Sequence, residues 1–244
     1  MSESTGAHRH PILLKHLTPE EVRTHLDRDP RLILPVGTTE QHGPHLPLGC
    51  DTIIVERLAD DLSAEFGVLR APTIEYGVNA DTARPFPGSG SLHFKTLHRL
   101  INDLVVSWET GGVREFIILT AHGPDPHQEA LSTLSLREAR ARTVDIFSMP
   151  LPEERSDTWR VVHGGEIDTS LLLYVDPVLV KLAQAQDFDA TPAVARRYQR
   201  GGRSSIPALS PGSLGRPSLA SVEKGERLYH LIYERVASRI FRAT

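Results

Sequence analysis

Fifteen residues, Gly37 to Asp51 (GTTEQHGPHLPLGCD), gather two imidazoles, a leading Glu40 and a closing Asp51 among two prolines and three glycines. Glu40 and His42 are two apart, so on extended backbone their side chains leave the same face. Asp51 follows nine residues later, beyond a turn-rich stretch able to fold back onto that face. Carboxylate oxygen and imidazole nitrogen converging on one point suit a divalent metal such as zinc or manganese. The plainer reading is an exposed polar loop with an aspartate capping the next helix. Metal binding needs further ligands from elsewhere in the chain.

The flanking elements decide whether such ligands can arrive. RLILPV reads as a short buried strand ending just before the segment, and TIIVERLADDLSAEF has helical length and spacing. Upstream, Thr18 as N-cap, Pro19 at the first helical position and Glu21 at the third form a capping-box pattern. VLRAPTI can form the next strand. Phe94, Leu97, Leu100, Ile101, Leu104, Val105 and Trp108 recur at helical steps, and Gly111-Gly112 stops that helix. REFIILTAHG is a strand running into His122. PHQEALSTLSLREARA reads as helical and TVDIFSM as strand-like, and a last helix is expected from about Ser218 to Arg242.

Alternating strands and helices predict an α/β fold, a single domain over residues 1–244 with a mostly parallel sheet sandwiched between helices. Residues 1–10 or so form a polar tail, and 187–216, rich in Gly, Ser, Arg and Pro, read as an irregular loop at the surface, the active site or a subunit contact. In open α/β sheets, ligands sit beyond the carboxyl ends of the strands. Glu40–Asp51 follows one strand and His122 another, so the topology puts them on one rim.

Composition narrows the class. The chain has 244 residues, 39% hydrophobic and 24% charged, with a formal net charge of −4. That balance gives no reason to expect a nucleic-acid or acidic-membrane partner. No apolar run reaches the roughly 18 residues of a membrane span. The single Cys50 excludes an intrachain disulfide framework, and the polar N-terminus lacks a secretory apolar core, so a cytoplasmic protein is expected.

A third cluster, VVHGGEIDTSLLL, sets His163, Glu166 and Asp168 around a Gly-Gly turn leading into an apolar helix. With it, the chain resembles the creatininase family of metal-dependent amidohydrolases. The GTTEQHGPHLPLGCD, ILTAHG, HGGEIDTS and GSLGRPSLASVEKGER segments stand in the family's order from about Ile33 to Arg227, and the first is highly specific.

The resemblance implies two divalent ions per chain: Glu40, Asp51 and His122 on one, His42 and Asp51 on the other, Asp51 bridging. In creatininase itself the last carboxylate lies two residues after the histidine matching His122. Pro124 stands there in this chain and cannot bind, so Glu166, used by most other members, is the expected fifth ligand. Zinc is the first choice of metal, with manganese or iron as alternatives. The resemblance further implies a bridging hydroxide as nucleophile and His163 as the proton shuttle to the leaving nitrogen. Asp168 falls where creatininase has a glutamate, and would orient His163 or a water. A small-molecule substrate and a homo-oligomer, a hexamer in the family, complete the expectation.

The chain departs most at Thr120-Ala121-His122-Gly123-Pro124-Asp125, where the family has Asn-Gly-His-Gly-Gly-Asn. Pro124 removes an N–H that could serve as an oxyanion donor, and Asp125 replaces a donating amide with an acceptor. Substrate recognition is therefore altered, and the chain is not creatininase proper. Of the other histidines, His45 is expected to fix the loop or touch substrate, His93 and His127 to be structural, and His8, His10 and His16 to play no metal role. Cys50 reads as a small packed residue, and Arg196, Arg197, Arg200 and Arg203 as a solvated basic run.

The sequence thus predicts cleavage of a C–N amide bond in a cyclic amide, formamide or small peptide-like substrate. Its rivals are a lyase, isomerase, or ester or C–C hydrolase on the same site, and a metal-holding scaffold that has lost catalysis.

Overall fold

A computed structural model describes residues 10–81, 83–148, 163–201 and 205–242. The expected tail therefore lies outside the described residues except for its end, as does Arg203. Five parallel strands form one sheet: β1 (Ile12–Leu13), β2 (Arg31–Val36), β3 (Leu69–Arg70), β4 (Glu115–Thr120) and β5 (Arg140–Asp145), in the order β1-β3-β2-β4-β5. Strands β2 and β4 pair along their whole length, Arg31 with Glu115 through Val36 with Thr120.

Alternation along these central strands builds two cores. Leu32, Leu34, Phe116 and Ile118 face one layer with α1 (Pro19–Arg28), α3 (Phe94–Thr110) and α4 (Asp125–Ser132). Ile33, Ile117 and Leu119 face the other, with α2 (Cys50–Phe66), α5 (Glu166–Val175) and α7 (Val222–Val236). Strands β2 and β4 are each buried and apolar on both faces, as a sheet covered by helices on both sides requires. The single-domain α/β sandwich is the expected one. Among the described residues no helix is long and apolar enough to cross a membrane.

The capping box of α1 forms: Glu21 N–H donates to Thr18 Oγ1 at 3.4 Å, and Thr18 N–H to Glu21 Oε2 at 2.7 Å. Three local expectations are corrected. The strand foreseen in VLRAPTI is only two residues long, because Pro72 has no N–H to extend the ladder. The helix foreseen from Pro126 to Ala141 ends at Ser132. Beyond it, the Glu109 carboxylate accepts the N–H groups of Arg137, Glu138 and Ala139, and Asn102 accepts that of Ser135, which holds the segment extended along α3. The last helix begins at Val222, capped by Ser221, while Ser218 is held by Asp187.

The fourth correction bears on the site. The stretch 187–216 contains a helix, α6 (Pro192–Arg200), with Thr191 as N-cap and Pro192 at its first position. This is the same Thr-Pro start that announced α1, and it was legible in the sequence.

Candidate metal centre

Strand β2 ends at Val36 and delivers the chain directly to Thr38 and Glu40. Glu40 N–H donates to Leu48 O at 2.9 Å, so the loop closes on itself and returns Asp51 to the first turn of α2. Strand β4 ends at Thr120 and delivers His122 beside them. The turn at His163 arrives from the other side because Gly164 lies at φ +64°, where a Cβ would strike the His42 carbonyl oxygen at 2.4 Å. Glu40, His42, Asp51, His122, His163, Glu166 and Asp168 are all between 0% and 3% exposed. Burial of this kind strengthens every charge interaction inside the site.

Asp51 is the hub. Its Oδ1 lies 3.0 Å from His42 Nε2, and its Oδ2 lies 2.9 Å from His122 Nδ1 and accepts the Thr38 hydroxyl at 2.7 Å. Glu40 Oε2 stands 3.5 Å from the same His122 nitrogen and has no hydrogen-bond partner. Ligand atoms of Glu40, Asp51 and His122 come within 4.8 Å of one another, as do those of His42, Cys50 and Asp51, and of Glu40, His42 and His163.

Backbone contacts fix which imidazole nitrogens are free. His42 Nδ1–H donates to Glu40 O at 3.0 Å, leaving Nε2 to face Asp51. His122 Nε2–H donates to Val78 O at 3.0 Å, leaving Nδ1 to face Asp51 and Glu40. In neutral imidazoles both inward nitrogens would carry lone pairs against carboxylate oxygens. Something positive must lie between them, either extra protons or a metal.

Without metal, protons fill that role. Burial opposes a charged His42, but Asp51, Asp168 and Glu40 outweigh it and raise its pKa to about 10. Burial likewise opposes charge on His122, and Glu40 and Asp51 raise it. Metal binding near neutral pH is therefore expected to release about one or two protons per chain. Calorimetric enthalpies should vary with the ionisation enthalpy of the buffer; no variation would mean that both imidazoles were already neutral.

His163 carries no such charge, since burial and the neighbouring His42 push its pKa well down. Its ring lies 4.5 Å from that of His42. Asp168 reaches His163 through the backbone: its Oδ2 accepts Gly164 N–H at 2.6 Å and so holds the turn that presents His163. Burial raises the Asp168 pKa to about 7, and its Oδ1 has no partner.

Glu166 stands in none of the three ligand groups among the described residues. It heads α5, buried, and its Oε1 receives the Lys224 ammonium from α7. His45 fixes the loop, its Nε2 bonded to Thr169 Oγ1 at 2.9 Å. His127 receives Val78 N–H at Nδ1 and bonds Thr120 Oγ1 through Nε2, so it braces the Val78 peptide that orients His122. Cys50 is fully buried and burial raises its pKa, so the thiol is packed and unreactive. Sequence reasoning gave no role to Gln41, Tyr198 or Lys224, though each bonds a site residue. Gln41 lies inside the first motif and Lys224 inside the last, whereas Tyr198 sits on the unforeseen α6.

A buried cluster of carboxylates and imidazoles, on the carboxyl rim of a parallel sheet, has the construction of a metal-dependent hydrolase. The family described as "Creatininase: Creatinine amidohydrolase" matches residues 15–240. The mycofactocin precursor peptide peptidase of Mycolicibacterium smegmatis is 30% identical, over 98% of this chain and 96% of its own. The creatinine amidohydrolase of Pseudomonas putida is 27% identical (86% and 88% covered), and the 3-dehydro-scyllo-inosose hydrolase of Thermotoga maritima 24% (88% and 78%). Two solved creatininases, a manganese form and a Zn-Zn mutant, each match with TM-score 0.78 at 24% identity, over 95% of this chain and 98% of theirs. The chain belongs to the creatininase family, and it is a metal-dependent amidohydrolase of that family.

Proposed function

We propose that the chain, acting as one unit over residues 1–244, holds two divalent ions and cleaves a C–N amide bond in a small substrate. The observation that carries this reading is the pair of imidazole lone pairs turned onto the two oxygens of Asp51, beside the orphaned Glu40 oxygen. Glu40, Asp51 and His122 would hold one ion, and His42, Asp51 and Glu166 the other. When bound, such ions polarise a carbonyl oxygen and acidify a water.

The chain's own residues do the rest. Thr38 pins the Asp51 carboxylate, and the Val78 and Glu40 carbonyls set the two imidazole tautomers. His163, held neutral, would take at Nε2 the proton that the attacking water loses and deliver it to the leaving nitrogen. Asp168 acts through the backbone at Gly164, fixing the turn. Substrates named for relatives, creatinine and a precursor peptide, span the range expected here: cyclic amide, formamide or short peptide-like amide. Zinc is the first metal to try, then manganese or iron. A homo-oligomer, hexameric by resemblance, and a cytoplasmic location belong to the same proposal.

Glu166 is paired with Lys224 through Oε1, which gives it a separate test. Glu166→Gln should lower bound metal from about two ions per chain to about one. Two ions retained in the variant would remove Glu166 from the set.

The relative named for hydrolysis of an inosose, a name without an amide, favours ester or C–C hydrolysis as the second reading. Turnover of the metal-loaded protein on matched amide, ester and ketone substrates separates the two. Amide turnover abolished by chelation supports the first reading. Turnover confined to esters or ketones supports the second, and metal retained without turnover of any class would favour the scaffold.

A further inference from the structure

We propose that Tyr198 is a positioning residue for His163, taking the place at Nδ1 that a carboxylate would otherwise fill. The inference rests on His163 being the proton carrier and follows from the direction of each hydrogen bond around it.

Gln41 is oriented twice over. Gly43 N–H donates to its Oε1 at 3.0 Å, and its Nε2 donates to Gly212 O at 3.0 Å. The Gln41 atom 2.9 Å from His163 Nε2 is therefore an N–H donor, and His163 Nε2 must accept. The approach is close: at Gly212, φ +119°, a Cβ would come within 2.1 Å of Gln41 Oε1. A neutral His163 then carries its proton on Nδ1, which lies 2.6 Å from the Tyr198 hydroxyl. Tyr198 accepts that proton's hydrogen bond and keeps its own proton.

The donors thus run one way, from Gln41 to His163 to Tyr198. When His163 gains a second proton at Nε2, Gln41 must turn aside. The Nδ1–H bond to Tyr198 persists and shares the new positive charge with the phenol. That is the part an orienting acid plays behind a catalytic imidazole. Asp168 does not play it, since both His163 nitrogens are already engaged, Nε2 by Gln41 and Nδ1 by Tyr198.

The helix that carries Tyr198 is itself anchored on the altered loop. The next residue, Gln199, donates from Nε2 to Gly123 O at 2.5 Å and to Asp125 Oδ1 at 3.1 Å. Asp125 thereby gains a partner, and Tyr198 is seated with its ring centroid 4.6 Å from that of His163. Helix α6 ties the loop after His122 to the proton carrier.

Tyr198→Phe keeps the ring and removes only the hydroxyl. In the metal-loaded variant, kcat on the best-hydrolysed amide should fall about ten- to a hundredfold with KM nearly unchanged and metal content intact. The hydrogen-bonded His163 Nδ1–H resonance in nitrogen-15 imidazole spectra should move or vanish. Wild-type kcat, or an unmoved Nδ1–H resonance, would overturn the proposal. So would loss of metal in step with kcat, which would make Tyr198 a support of the metal ligands instead. If the wild type hydrolyses no amide, the functional reading fails, and the imidazole spectra still decide the part of Tyr198.

Discussion

Asp51→Asn is expected to leave a folded protein that holds little or no metal and turns over substrate roughly a thousandfold more slowly, or less. Asp51 meets the inward nitrogens of both imidazoles, through Oδ1 to His42 Nε2 and Oδ2 to His122 Nδ1. An amide of the same shape loses the negative charge and offers one oxygen to the site. Its NH₂ can donate to an imidazole lone pair, so the variant relieves the crowding of acceptors without any metal. The fold should therefore survive, with a melting temperature close to that of the wild type, while metal affinity collapses. Several kcal/mol of transition-state stabilisation come from such ions, and each 1.4 kcal/mol or so is tenfold in rate. Metal analysis and kcat/KM of the purified variant check this. Retained metal with wild-type turnover would remove Asp51 from the centre.

His163→Ala is expected to lower kcat about a hundred- to ten-thousandfold, the range of a lost general acid–base group. The loss should grow as the leaving amine becomes more basic, because such an amine cannot depart without a proton. Metal content should stay near the wild-type value, since the ligand contacts of His42, Asp51 and His122 do not pass through this ring. A rate loss independent of the leaving group would count against amide hydrolysis with His163 as its acid. The cavity left beside the His42 ring, whose centroid lies 4.5 Å away, makes thermal stability the necessary control.

The convergence of Glu40, His42, Asp51 and His122 could be read from the chain because each follows a strand whose apolar run is plain. RLILPV and REFIILT end in register as neighbours, and parallel pairing does the rest. The capping box at Thr18 and the strong helix from Phe94 were legible for the same local reasons.

What escaped reading depends on contacts distant in sequence. Arg137 to Ala139 carry helix-compatible residues, but a carboxylate 28–30 positions earlier, Glu109, collects their N–H groups. Nothing in their own sequence announces that. Tyr198 lies 35 residues from His163, in a stretch whose Gly, Ser, Arg and Pro content suggested a loop. Only the Thr-Pro pair pointed to a helix, and no pattern linked it to the site. Glu166 is a further case. Resemblance names it a ligand, and the structure adds a contact that no local pattern announced, the pairing of its Oε1 with Lys224, 58 residues away on α7.

The proposed function stands or falls with the Glu40–His42–Asp51–His122 cluster as a metal centre. Its most direct test is metal content per chain after loading with zinc or manganese and removing unbound ion by desalting. About two ions per wild-type chain are predicted. A folded wild type that retains neither metal would contradict the account.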